Sequence, residues 1–77
     1  MPTVLRKSGL SFRIYTDDHE PMHVHVWHQG AKAVLEIEKS VTVRENKGMD
    51  KNTLRRANSI AQENLELLRD AWNEIYG

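Results

Sequence analysis

The sequence predicts an α+β fold: an antiparallel sheet of three to five strands in a meander, with one long C-terminal helix packed on one face. Three observations predict it. Apolar and polar residues alternate in short runs up to Glu45, the period of a strand with one buried face. The breaks between those runs are too short for a crossover, so neighbouring strands must run antiparallel. After Gly48 the apolar positions switch to steps of three and four, a spacing that lines up only on a helix.

The elements follow in order. Thr3-Val4-Leu5 is a short strand, and Lys7-Ser8-Gly9 a turn. From Leu10 to Tyr15, Leu10, Phe12 and Ile14 fall on one face and Ser11, Arg13 and Tyr15 on the other. Asp17 to Pro21 is a turn, because Asp and Pro both favour turns, and it leads into a strand rich in histidine. There Val24 and Val26 suit the core, while His23, His25 and Trp27 share the opposite face. Gln29-Gly30 turns the chain again. Ala31 to Glu38 places Ala33, Leu35 and Ile37 inward and Val34, Glu36 and Glu38 outward. Val41 to Glu45 is a further short strand, ended by Asn46-Lys47-Gly48.

Asp50 caps the final helix. Its stripe is Leu54, Ala57, Ala61, Leu65, Leu68, Trp72 and Ile75, and Asn64 falls inside it. Some 26 residues make a rod of about 39 Å, whereas a six-residue strand covers about 20 Å. A helix that outruns its sheet must bend around it or pack on another chain. The apolar surface around Leu68, Ala71, Trp72 and Ile75 therefore predicts a homodimer.

All 77 residues form one domain, without cysteine, and acidic and basic residues balance at 11 each. That balance argues against a strongly basic nucleic-acid binder, though not against a local patch. No apolar run is long enough to span a membrane, and Met-Pro-Thr-Val-Leu-Arg at the start is no secretory signal. A cytoplasmic protein is expected.

The functional signal is the run from Thr16 to His28, which holds all four histidines. The run His19-Glu20-Pro21-Met22-His23-Val24-His25-Val26, the Gly30-Ala31-Lys32 that follows and a terminal helix ending in Trp72 resemble a family of small bacterial proteins known as domain of unknown function 4160. The family pattern carries two prolines in the turn, where this chain has Pro21 and then Met22. The resemblance implies a small α+β domain, and it implies a transcriptional regulator or a component of a toxin–antitoxin-like pair. It brings no established activity, so the chemistry rests on the residues.

Those residues allow three functions. In the first, Arg13, Tyr15 and Trp27 share a face with His23 and His25, and this face docks a small protein partner or stacks on RNA bases. Arg44, Lys47, Lys51, Arg55 and Arg56 add an anion site near the start of the helix. In the second, His23 and His25, about 6.5–7 Å apart along one strand, act as acid and base of a metal-independent ribonuclease, with Glu20 as a proton partner and Arg13 on the phosphate. In the third, His19, His23, His25 and Glu36 hold zinc, iron or nickel. The first leads, and no cofactor is assumed.

Overall fold

The computed structural model describes residues 3–15 and 19–76. Five strands, β1 (Thr3–Lys7), β2 (Leu10–Arg13), β3 (His23–His28), β4 (Ala31–Glu36) and β5 (Thr42–Lys47), precede two helices, α1 (Lys51–Glu63) and α2 (Leu65–Tyr76). The strands pair in sequence order, every pair antiparallel. This is the expected meander at its upper strand number. The turn expected over Asp17 and Asp18 lies outside the described residues.

Parity along the strands divides the sheet into two faces. Leu10 and Phe12 of β2, Val24 and Val26 of β3, and Ala33 and Leu35 of β4 all point into the core. Ala57, Ile60 and Ala61 of α1, with Leu68 and Trp72 of α2, cover that side. The opposite face carries Ser11, Arg13, His25 and Trp27, in register with one another. Val34 belongs to this second face, as its parity requires, yet it is only 5% exposed. It sits between His25 and Glu45 in the register, so the open face is partly roofed by its own side chains.

Both edge strands are irregular. Thr3 and Leu5 face the consecutive residues Arg13 and Phe12, which leaves Val4 as an extra residue in β1. Val34 and Leu35 face Glu45 and Val43, which leaves Arg44 extra in β5. Bulges of this kind twist an edge and discourage pairing with another chain.

The single long helix is not formed. The chain bends at Asn64, whose φ of −118° and ψ of 27° leave the helical region. The cause is the residue type: its side-chain amide donates to the Ile60 carbonyl at 2.8 Å, the same oxygen that its backbone N–H reaches at 3.1 Å. Asparagine competes for helix carbonyls in this way. The polar residue inside the apolar stripe is thus the joint. A straight rod of about 39 Å would exceed the molecule's longest dimension of 33 Å. No helix among the described residues is long and apolar enough to cross a membrane.

The bend also changes the charge pattern. In one long helix Glu66 would lie toward the unfavourable end. As built, it lies in the first turn of α2, where the helix dipole favours an acid. α1 has no acid in its first turn, but Asp50 caps it, accepting from the Thr53 N–H at 2.7 Å.

The hydrogen bonds from the Thr53 backbone and side chain hold the Asp50 carboxyl below its ordinary range. A carboxyl that titrates lower in the folded state adds stability above the unfolded carboxylate range. It loses that contribution as pH falls through the folded value. Asp50→Asn should therefore flatten the acid limb of the stability curve below pH about 4. Urea unfolding midpoints across pH 2–7 would check this, and parallel curves for the two proteins would contradict it.

Candidate functional site

The open face is built on β2, β3 and β4. Trp27 stands at its centre, half-buried. Its indole N–H donates to the Tyr15 hydroxyl at 2.9 Å. The Arg13 guanidinium carbon lies 5.7 Å from the Trp27 ring centroid, and the Lys32 ammonium lies 5.4 Å from it. One cation comes from each neighbouring strand, so the ring is flanked by positive charge on both sides.

A chain of ring contacts runs from this face to the end of the molecule. Tyr15 meets His25 at 4.5 Å between centroids, edge to face. His25 meets His23 at 5.2 Å. His23 meets Trp72 at 5.3 Å, and Trp72 meets Tyr76 at 4.4 Å. The Tyr76 hydroxyl then donates to the backbone carbonyl of Tyr15, closing the circuit. An aromatic pair such as Trp72 with Tyr76 adds about 0.5–1.5 kcal/mol beyond its buried area.

This circuit separates the two histidines that sequence parity groups together. His25 is half-buried on the open face, whereas His23 is 5% exposed. Its Nδ1 lies 2.8 Å from the Pro21 carbonyl. A carbonyl only accepts, so this nitrogen carries the proton and donates. Trp72 closes over the ring. The expectation that His23 lies on a helix-free face is corrected: α2 reaches round the end of the sheet and covers it.

Arg69 fixes α2 there. Its Nε donates to the Ile37 carbonyl at 2.9 Å, and its Nη2 donates to the carbonyls of Glu38 and Lys39, both at 2.7 Å. These carbonyls lie just beyond the end of β4, and a guanidinium fork supplies several donors at once. The sequence gives no sign of this clamp. The Tyr76 contact does have one: Tyr76 lies four residues after Trp72, on the same side of a helix.

The remaining expected site residues are scattered. Glu36 faces His23 in the register, but its carboxylate lies 3.9 Å from Arg44. Glu20 is exposed and precedes a cis bond to Pro21. His19 is also exposed. Among the described residues, no three His, Asp or Glu side chains gather to hold a metal ion. The expected anion site is dispersed as well. Lys47 pairs with Glu45 at 3.2 Å, and the Asp50 carboxylate already occupies the N-terminus of α1. Lys51 and Arg55 instead line a groove between α1 and β5, beside Val43 and Leu54; Arg56 is exposed on α1.

The surface that motivates the homodimer is also different from expectation. Leu68 is 0% and Trp72 2% exposed, and Ala71 and Ile75 pack against the same core. Leu68 and Trp72 are covered within the chain, while Ala71 and Ile75 stay partly exposed beside the exposed Leu67 and Tyr76.

The model of a domain of unknown function, DUF4160, matches residues 9–73. The chain belongs to the DUF4160 family. Neither a curated protein nor a solved structure matches it significantly. The DUF4160 match begins at the β1–β2 turn and ends just past Trp72, so it takes in β2 to β5 and the rings of the circuit up to Trp72.

The two tryptophans should respond differently to truncation. Trp72→Ala removes a buried ring and should cost about 3–5 kcal/mol, a large part of the about 4–12 kcal/mol expected for a chain of this length. Trp27→Ala should cost about 1 kcal/mol. Val24→Asp buries an unpaired charge and should abolish the fold, whereas His25→Ala should keep it. Circular dichroism and urea unfolding would measure all four. A loss for Trp27→Ala equal to that for Trp72→Ala would mean that the open face is core.

Proposed function

We propose that this DUF4160 chain is a cytoplasmic binding module, a component of a toxin–antitoxin-like pair, that docks a small protein partner on the open face of its sheet. The observation that carries this reading is Trp27, half-buried between Arg13 and Lys32 and hydrogen-bonded to Tyr15. Trp, Tyr and Arg are the residue types that dominate binding energy at interfaces. Here Arg13 and Trp27 stand on strands and Tyr15 is hydrogen-bonded to Trp27, so little side-chain entropy remains to be lost on docking. The bulged edges support the same surface, because they disfavour partners that add a strand.

The ribonuclease reading has less support. It needs one group to accept a proton and another to return it. His25 lies on the face, but His23 is enclosed by Trp72, with Nδ1 committed to the Pro21 carbonyl.

The test is co-expression with the product of the adjoining gene, that product carrying the affinity tag. The wild-type chain should co-purify with it. Trp27→Ala and Arg13→Ala should each weaken the complex at least tenfold while remaining folded. Retention of both variants at wild-type strength would rule out the open face as the docking surface. In parallel, single-stranded RNA should survive incubation with the purified chain in EDTA. Cleavage that disappears in His25→Ala would replace the binding module with an enzyme.

A further inference from the structure

The strand register sets up an arrangement that sequence spacing does not show. Arg6 faces Ser11, Ser11 faces Trp27, Trp27 faces Lys32, and Lys32 faces Lys47. These five residues, one from each strand, form a single row straight across the open face. Strands lie about 4.8 Å apart, so the row is about 19 Å long. Arg13, one register step along β2, adds its guanidinium beside Trp27.

Charge on the face is graded from this row. The next row is Thr3, Arg13, His25, Val34 and Glu45. The row after it contains His23, Glu36 and Thr42. Positive charge therefore gathers at the end of the face bearing Trp27, while at the other end Glu36 has Arg44 3.9 Å away. Lys47 has Glu45 at 3.2 Å, but Lys32 stands directly opposite Lys47 in the register, and like charges so placed oppose folding. The Arg13 Nε is buried and has no hydrogen-bond partner among the described residues. A polar donor left so is costly. The opposed lysines are unfavourable in the free chain, and a negatively charged ligand relieves them.

We infer that the partner docks through an extended acidic segment laid across the strands along Arg6, Ser11, Trp27, Lys32 and Lys47. This rests on the partner-docking function proposed above and names the partner's chemistry. The row matches about six extended residues at about 3.3 Å each. Carboxylates on alternate residues of such a segment fall on one side, toward the cations. Arg13 and Arg6 take them at one end through guanidinium forks, which suit carboxylates; Lys32 and Lys47 take them at the other. Ser11 offers a hydroxyl to the segment's backbone. A single-stranded nucleic acid would meet the same cations and the same Trp27 ring, so it is the competing occupant that the test must distinguish.

The probe is a fluorescein-labelled ten-residue peptide of alternating glutamate and serine, titrated by fluorescence anisotropy at low and high salt. Saturable binding is expected, weakened by salt. Lys32→Glu should reduce affinity at least tenfold and Lys32→Gln by less, both remaining folded by circular dichroism. Arg55→Glu, an equal charge change on α1, should bind as wild type. Equal weakening by Arg55→Glu would reduce the effect to net charge and overturn the row. Tighter binding of a ten-nucleotide single-stranded RNA would overturn the acidic peptide in favour of nucleic acid. Absence of peptide binding, while the co-expressed partner still depends on Trp27, would overturn this inference and leave the docking function standing. Loss of that dependence as well would remove both.

Discussion

The architecture turns on the bend at Asn64. A side-chain amide that takes a helix carbonyl is a small local event, yet it decides where the last 12 residues of helix go. Bent, α2 passes the end of the sheet. Arg69 then reaches the carbonyls beyond β4, Trp72 covers His23 at the start of β3, and Tyr76 reaches Tyr15 after β2. Three strands are tied at one end by three residues of one helix, each separated from the next by about one turn. A small domain buries only about 60% of the surface of its unfolded chain, and this closure extends the one core between sheet and α1 with Leu68 and Trp72.

That closure also shapes the candidate site. It removes His23 from solvent and leaves His25, Tyr15 and Trp27 held by the same ring circuit. Rigid aromatic side chains on regular strands make good contact surfaces because their geometry is set before binding. The extra residues Val4 and Arg44 irregularise both edges, which disfavours the addition of a strand there.

Much of this fold is legible in the sequence. Alternation located β2, β3 and β4, and the short connections at Gly9 and Gly30, both at positive φ, forced antiparallel order. Parity separated Val24 and Val26 from His25 and Trp27. Three features needed the structure. Asn64 was visible as an anomaly in the stripe, but whether a polar residue there bends the helix or faces a partner depends on tertiary packing. Parity gives the face of a strand residue but not what covers it, so His23 and His25 looked equivalent. The cross-strand row depends on register, which bulges shift and which no local pattern records.

The central claim is that one set of alternate residues forms the docking surface while its neighbours along the same strands form the core. Amide and indole chemical-shift mapping of the isotope-labelled chain, titrated with its co-expressed partner, tests it most directly. The largest changes should fall at the Trp27 indole and at Ser11, Arg13, His25 and Lys32, with the α1 amides little affected. Changes centred on Lys51, Leu54 and Arg55, or on the β5 edge alone, would place the interface elsewhere and contradict the account.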